Sequence, residues 1–361
     1  MSGELLLNPG PVTLTSRVRR ALAGPDLCHR ESEFFDLQDR IRTRLADVYA
    51  LDTKTWAPIV LSGSGTAAVE AMMASLPDEN ARVLIIENGV YGERMTRMAD
   101  VHGIAHARLS YDWGQAIDID ALAERLADES FSHVALVHHE TTTGRLNDLE
   151  SIAAVCEHAG VAILVDAVSS FGAETITFTS AITAVAATAN KCLHGAPGAA
   201  FVIVRRRALD SARTRALYLD LAGYCAKQDA RGTPFTPGIP AFYALDEALA
   251  EHAEAGGVAM RHANYQALAD RVGHGLSELG TQPLLEPGVS SCVLRAYRLP
   301  TNLSYDALHT RLKAEGFVIY AGQGVLRDQI FRISTMGAID SADMDRLIRI
   351  VSEIIAHEPV Q

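Results

Sequence analysis

Short apolar runs alternate with amphipathic segments along the first 206 residues of the chain. Four runs have the length and character of buried β-strands, at residues 59–61, 83–86, 134–137 and 163–165. The segments between them favour helices, most clearly where apolar residues recur at helical spacing: Phe34, Leu37, Ile41, Leu45 and Val48. Because apolar strands separated by helices are typical of parallel sheets covered on both faces, we predict an α/β fold with a mostly parallel, doubly wound sheet.

The pattern changes after residue 207. A loop rich in Gly and Pro at residues 232–240 leads into a helix, and further helices and strands follow. The last helix has its apolar residues in phase: Met344, Leu347, Ile348, Val351 and Ile354. The 361 residues also exceed the size at which single cores stop growing, roughly 250–300 residues. We therefore predict an N-terminal arm at 1–14, a large domain at 15–255 and a smaller α+β C-terminal domain at 256–361.

Composition excludes several classes of function. A net charge of −12 with only short basic clusters argues against a nucleic-acid partner, because phosphate binding needs concentrated Lys and Arg. No apolar run reaches the roughly 20 residues of a membrane span, and the chain does not start like a signal peptide. The five cysteines lack metal-ligand spacing, and adjacent His138 and His139 should point to opposite faces of a strand. We expect a cytoplasmic protein with reduced thiols and no metal site.

Two charged residues follow two of the predicted strands. Asp166 ends the run at 163–165, and Lys191 follows Asn190 after a second strand of small residues. Ligands of open α/β sheets bind beyond the carboxyl ends of the strands. An amine and a carboxylate placed there fit pyridoxal 5'-phosphate, whose aldehyde reacts with lysine and whose ring nitrogen is kept protonated by an acid. The alternative is a solvated loop lysine with a helix-capping Asp, but no other charge lies between Glu174 and Arg205, which favours the site.

Other segments could bind the same ligand. Ser64, Gly65 and Thr66 form a glycine turn before a helix, where free N–H groups favour an anion. Tyr91 is either an ordinary loop aromatic or a residue that stacks on a flat ring. Arg332 stands inside an apolar strand and needs an anionic partner, which is either an acid of the core or the acidic group of a substrate.

The segments that carry this chemistry match a known family in the same order, and the match covers nearly the whole chain. They are NPGP, SGSGTAAVE, NGVYGERM, HHETTTGRLNDL, VDAVSSFG, ANKCLHGAPG, FTP, GFVIYAGQ and FRISTMG. With them the chain resembles the class V aminotransferases, which are fold-type I enzymes dependent on pyridoxal 5'-phosphate. The resemblance implies the same fold, the same cofactor and a transaminase activity.

The resemblance also implies a role for each matching position. Lys191 would hold the cofactor covalently, and Asp166 would pair with its pyridine nitrogen. The other cofactor-binding positions would be Ser64, Gly65 and Thr66 at the phosphate, Tyr91 on the ring, Thr141 at the phenolic oxygen, and Val168 and Asn190. Arg332, with Pro9 and Gly10, would bind the substrate. Thr236 would reach the cofactor phosphate of the other subunit, since the family builds its site across a homodimer.

Within the family the resemblance is strongest to members that act on aminophosphonates. It implies transfer of the amino group of 2-aminoethylphosphonate to pyruvate, which gives phosphonoacetaldehyde and L-alanine. Alternatives are an alanine:glyoxylate or serine:pyruvate type of aminotransferase, an enzyme for a modified aminophosphonate, a desulfurase-like lyase, or a binding protein without activity. The lyase needs a nucleophilic cysteine, and residues 321–328 contain none. Residues 235–240, FTPGIP, and 331–337, FRISTMG, depart from the family pattern where we expect them to border the amine pocket.

Overall fold

The computed structural model describes residues 4–356. Residues 1–3 of the predicted arm and 357–361 of the predicted small domain lie outside the described residues. The strands, in chain order, are β1 Leu5–Leu6, β2 Trp56–Gly63, β3 Arg82–Glu87, β4 Ala105–Ser110, β5 His133–Val137, β6 His139–Glu140, β7 Arg145–Leu146, β8 Ala162–Asp166, β9 Ile182–Thr188, β10 Gly198–Arg205, β11 Leu294–Arg298, β12 Phe317–Val318, β13 Tyr320–Ala321 and β14 Ile330–Ser334.

The helices are α1 Ser16–Ala21, α2 Ser32–Asp47, α3 Gly65–Ser75, α4 Val90–Val101, α5 Ile119–Asp128, α6 Leu149–Ala159, α7 Arg206–Asp210, α8 Leu221–Asp229, α9 Ile239–Glu254, α10 Gly257–Glu278, α11 Tyr305–Ala314 and α12 Ser341–Ala356. Among the described residues, no helix combines the length and the apolar character of a membrane span.

A seven-stranded sheet forms the centre of the fold, in the order β2-β10-β9-β8-β5-β3-β4. The strand pairs from β9 to β4 are parallel, whereas β10 runs antiparallel to both of its neighbours. The predicted mostly parallel α/β sheet is therefore confirmed. The predicted alternation of strands and helices is wrong after β8, because residues 167–181 and 189–197 connect β8, β9 and β10 through turns.

Helices cover both faces of this sheet, as predicted for a doubly wound fold. Successive side chains of a strand point to opposite faces, so each strand contributes to two apolar clusters. One cluster packs against α2, α5, α6 and α9, and the other packs against α3, α4 and α8. With no free apolar face left on the sheet, a ligand must bind at the ends of the strands.

A smaller antiparallel sheet, in the order β11-β14-β13, lies in the C-terminal part of the chain. Its apolar side chains form a third cluster with α10, α11 and α12. The apolar run FVIY at residues 317–320, which predicts one strand, takes part in two short strands, β12 and β13, which pair with different partners. The predicted boundary after residue 255 falls between α9 and α10. The division into separate domains stays a prediction.

The N-terminal segment is anchored on this smaller part of the molecule. β1 pairs in parallel with β12, and the side chain of Leu7 is buried in the third apolar cluster. The backbone of Leu7 also donates to the Val318 carbonyl at 2.8 Å and accepts from the Ser334 N–H at 2.8 Å. These contacts determine where the following turn, at residues 8–11, meets the large sheet.

Replacement of Leu7 by alanine should lower the free energy of unfolding by about 2–5 kcal/mol, since it leaves a cavity in a closed apolar cluster. Leu5→Ala is the matched control on the same strand, where the side chain is only half-buried. Urea denaturation of both variants provides the measurement. Equal losses for the two would show that the Leu7 contacts do not anchor the segment.

Candidate active site

The carboxyl edge of the large sheet gathers residues from several strands. Asp166 is the last residue of β8, and Lys191 lies three residues beyond the end of β9. Ser64 caps α3 directly after β2. Tyr91 lies in the first turn of α4, so its interpretation as a loop residue is wrong. Parallel strands end at the same edge, which brings these distant parts of the sequence together.

A pocket of about 190 Å³, partly open to solvent, lies between them. The predicted site residues that line it are Gly10, Ser64, Gly65, Thr66, Tyr91, Asp166, Val168, Asn190 and Lys191. Its other lining residues are Val69, Arg94, Met95, Met98 and Thr188. The polar and charged groups therefore converge on one cavity that also has an apolar wall.

Lys191 and Asp166 face this pocket with opposite charges. In the part of the chain that the structure describes, no ion pair joins them. The pKa of Lys191 is lowered to about 8, mainly by burial; the charges of Arg332 and Arg94 act in the same direction, and Cys192 and Asp166 act against it. Burial raises the pKa of Asp166 to about 6, although the Val168 N–H, at 2.9 Å from Oδ1, favours its ionised form. A larger part of this amine than of an ordinary lysine is therefore neutral and nucleophilic at physiological pH.

The turn after β1 lies directly against Lys191. The Lys191 Nζ donates a hydrogen bond to the Pro9 carbonyl. Gly10 has a φ of +110°, and a Cβ there would lie 2.7 Å from Lys191 Cδ. Only glycine accepts both the backbone conformation and this close approach without strain. Pro9 and Gly10 therefore shape the space around the amine, while their predicted role in substrate binding stays a prediction.

An anion cradle lies at the start of α3. The Ser64 side chain caps the helix, and the first N–H groups of a helix have no partner within it. A Cβ on Gly65 would lie 2.7 Å from Val168 Cγ1, so the cradle packs closely on the segment after β8. Arg94 adds a positive charge: its guanidinium lies 3.5 Å from Thr66 Oγ1 and 4.6 Å from the centre of the Tyr91 ring. These groups suit a phosphate next to an aromatic ring.

Glu140 is a site residue to which the sequence analysis gave no role. It is fully buried, and its carboxylate accepts the N–H groups of Tyr91 at 3.1 Å and Gly92 at 3.4 Å, which begin α4. Thr142 donates to the same carboxylate through its hydroxyl at 2.7 Å. Burial raises the pKa of Glu140 to about 7. A Cβ on Gly89 would lie 2.3 Å from Glu140 Cγ, so only glycine fits at this position. In the sequence, this glycine is the one signal of the contact with the ETTT segment at residues 140–143.

Arg332 and Thr141 lie together beside the pocket and do not line it. Arg332 is 2% exposed and donates to the carbonyls of Thr141 at 2.8 Å and Ala321 at 2.9 Å. No carboxylate pairs with it in residues 4–356, so the alternative of a core salt bridge is wrong. Burial lowers the pKa of this guanidinium. A buried cation that contacts only carbonyls has capacity for an anionic ligand.

The structure does not bring Thr236 to the pocket. Its side chain is exposed, and residues 235–238 precede α9 on the outside of the chain. In residues 331–337, the other segment that departs from the family pattern, Met336 Sδ lies 3.8 Å from Cys192 Sγ, behind the lysine rather than in the pocket.

Both adjacent histidines are buried, with His138 Nδ1 3.1 Å from Ser170 Oγ and His139 Nδ1 3.0 Å from the Ser169 carbonyl. β5 ends at Val137 and β6 begins at His139, so the two histidines do not share one strand, and their predicted orientation to opposite faces stays a prediction.

Comparisons with known proteins agree with this geometry. Residues 18–347 match the family model described as aminotransferase class-V. The 2-aminoethylphosphonate–pyruvate transaminase of Salmonella paratyphi B is 37% identical over 355 residues, which cover 95% of each chain. An aspartate aminotransferase from Thermus thermophilus superposes with a TM-score of 0.90 at 29% identity, covering 99% of this chain and 100% of that chain. An alanine–glyoxylate aminotransferase from Nostoc sp. superposes with a TM-score of 0.92 at 27% identity, covering 98% of this chain and 96% of that chain.

We expect the amine of Lys191 to titrate near pH 8 in protein freed of bound small molecules. Its labelling by an amine-directed reagent, followed by peptide mass spectrometry, should rise with pH to a midpoint near that value. Asp166→Asn should move the midpoint down, and Arg332→Gln should move it up, because a carboxylate stabilises the charged amine and a guanidinium destabilises it. A midpoint near the ordinary lysine value of about 10.4 would contradict the buried environment.

Proposed function

Because this chain belongs to the class-V aminotransferase family, we propose that it transfers the amino group of 2-aminoethylphosphonate to pyruvate, with pyridoxal 5'-phosphate held on Lys191. The products are phosphonoacetaldehyde and L-alanine. The observation that carries the proposal is the pocket in which Lys191 and Asp166 face each other beside the anion cradle of α3. The Salmonella relatives named for this reaction, at 37–38% identity over 95% of the chain, support the choice of substrates.

The residues present fit the cofactor. Lys191 supplies a primary amine with a lowered pKa, and Asp166 supplies a buried carboxylate. Gly65 and Gly10 let the backbone pack closely against Val168 and Lys191, where a Cβ would clash. Ser64, Gly65 and Thr66 would hold the phosphate, Tyr91 would contact the ring, and Thr141, Val168 and Asn190 would complete its surroundings. When bound, pyridoxal phosphate supplies an aldehyde that accepts the amino group and a ring that accepts electrons.

Lys191 and Asp166 would have different acid–base roles in this reaction. With the cofactor bound, Lys191 Nζ would be the base that takes a proton from the amine-bearing carbon of the substrate and the acid that returns one. Its lowered pKa keeps part of the amine neutral at physiological pH, as a base requires. Asp166 would keep the pyridine nitrogen of the cofactor protonated, since it is a carboxylate in a buried site.

Arg332 would bind the acidic group of both substrates. A guanidinium makes paired hydrogen bonds with carboxylates and phosphonates alike, so one residue serves pyruvate and the aminophosphonate. Glu140 is a positioning residue in this scheme. It holds the first turn of α4, and therefore Tyr91, while the Thr141 carbonyl next to it accepts from Arg332.

A homodimer would complete the site. Thr236 is exposed in the single chain and lies outside the pocket, which suits a residue that reaches the phosphate in the other subunit. The five cysteines are free thiols, as expected for the cytoplasmic location that we propose. Residues 235–240 would then border the amine pocket of the partner, where the FTPGIP sequence can adjust the choice of amine.

The decisive experiment mixes purified enzyme with pyruvate and one amine at a time, and measures alanine. We expect alanine from 2-aminoethylphosphonate at a rate at least about tenfold above that from serine, glycine or 2-aminoethanol. 2-Aminoethanol offers Arg332 no anion, and the carboxylates of serine and glycine carry less charge than a phosphonate. If alanine formed with serine but not with the phosphonate, the amino donor would be serine, as in aminotransferases of the serine:pyruvate type.

Lys191→Ala is the control for the reaction type. It should abolish both alanine formation and the absorbance of covalently held cofactor, whereas folding, followed by circular dichroism, should persist. Activity in this variant would overturn the assignment of Lys191.

A variant of Thr236 tests whether the cofactor site is shared between two subunits. Thr236→Val should weaken cofactor binding by about tenfold, which corresponds to one hydrogen bond to a charged group. The measurement is a fluorescence titration of cofactor-free dimer, with Thr233→Val as control, since Thr233 bonds only to the Phe235 carbonyl nearby. An unchanged dissociation constant for Thr236→Val would remove this residue from the cofactor site.

A further inference from the structure

A second polar cluster lies outside the pocket, and the proposed reaction does not use it. It consists of Glu174 in the turns after β8, His262 on α10 and Cys292 just before β11. Cys292 Sγ lies 3.3 Å from Glu174 Oε1 and 3.4 Å from His262 Nδ1, and His262 Nδ1 lies 3.2 Å from Glu174 Oε2. A thiol, an imidazole nitrogen and a carboxylate from three distant segments thus face one point.

These separations are close to those around a zinc ion. Metal–ligand bonds of 2.0–2.3 Å at tetrahedral angles place neighbouring S, N and O ligands about 3.4–3.6 Å apart. Cys292 Sγ and His262 Nδ1, 3.4 Å apart, already lie in this range. Glu174 meets them through its two different oxygens, and one atom from each of the three residues lies within 4.8 Å of the others, so a turn of the carboxylate brings one oxygen into the arrangement. Glu174 is 2% exposed and Cys292 is 1% exposed, whereas His262 is half-buried at the solvent side. The cluster is therefore enclosed by protein, with one side through which an ion can enter.

A second observation points to a missing partner in the same polar layer. His139 is 1% exposed, and its Nδ1 lies 3.0 Å from the Ser169 carbonyl, as a donor. Its Nε2 is buried and has no partner among the described residues. His139 also lies within electrostatic range of Glu174. The polar groups around Glu174 thus include a buried nitrogen that the described residues leave unpaired.

We propose that Glu174, His262 and Cys292 form a site for a thiophilic divalent cation such as Zn²⁺. Binding forms bonds from the cation to Cys292 Sγ, His262 Nδ1 and a Glu174 oxygen. The thiol proton leaves to solvent, His262 carries its proton on Nε2, and no electron is transferred. Water occupies the fourth position on the solvent side.

The site joins three parts of the fold behind the lysine loop. Glu174 follows the turns that contain Ser169, whose carbonyl accepts from Cys192 Sγ at 3.4 Å. Cys192 is the residue after Lys191. A cation that ties residue 174 to α10 and to the start of β11 would therefore stiffen the support of Lys191 without entering the pocket. Its expected effect is on stability and not on the chemical step.

The test uses holoenzyme freed of metal with a chelator and titrated with Zn²⁺ against a competing indicator. We expect about one equivalent to bind and to raise the melting temperature. Cys292→Ser and His262→Ala should each weaken binding by at least about tenfold. Cys292→Ser is the sharper variant, because serine keeps the hydrogen bond to Glu174 and replaces only the soft ligand atom. His274→Ala, an exposed histidine of the same helix, should bind as the wild type does.

The visible absorption spectrum of bound Co²⁺ identifies the ligand atoms independently. In wild-type enzyme it should show the intense visible bands of a four-coordinate ion, at longer wavelengths than the cofactor absorbs, and Cys292→Ser should lose the thiolate contribution. Equal Zn²⁺ binding by wild type and Cys292→Ser, or no binding by wild type, would show that the cluster is only hydrogen-bonded and would overturn the proposal. Alanine formation from the amine panel is measured separately, so either proposal can fail alone.

Discussion

Two opposite charges held apart in a buried pocket are the constraint on which the rest of this molecule depends. Asp166 and Lys191 would neutralise each other if they met, and the pocket would then offer a ligand little. They are kept apart because each is attached to a different strand end, with the Val168 N–H on the carboxylate and the Pro9 carbonyl on the amine. Both partners are backbone groups, so the separation is built into the fold.

The smaller sheet contributes to the same pocket through two routes. The N-terminal segment is anchored beside it by the pairing of β1 with β12 and by the hydrogen bond from the Ser334 N–H of β14 to Leu7, and it places Gly10 in contact with the lysine. The strand β14 places Arg332 at the Thr141 carbonyl, in the turn between β6 and β7. Movement of one sheet relative to the other would therefore change both the surroundings of the amine and the position of the guanidinium. A substrate acid held at Arg332, as proposed, would thus be mechanically connected to Lys191.

Much of the architecture was predictable because buried strands are continuous apolar runs and their carboxyl ends share one edge. That rule was enough to place Asp166, Lys191 and Ser64 in one site. Strand direction leaves no periodic signal, so the antiparallel β10 was not foreseen. The roles of Glu140 and Arg94 were not predictable for another reason. A single charged residue forms no pattern along the sequence, and only the packing of α4 in the structure shows which charged side chains lie near the pocket.

The cations around the pocket bear on how one site can accept two different acids. Arg94 lies by the cradle of α3, and Arg332 lies by Thr141, so positive charge is present near two separate regions. Both lower the pKa of Lys191, which places them within electrostatic range of the amine. An anion bound near either guanidinium would offset that effect and make the amine a stronger base. Substrate and cofactor binding would therefore tune the lysine as the reaction requires, and a phosphonate, with more charge than a carboxylate, would do so more strongly.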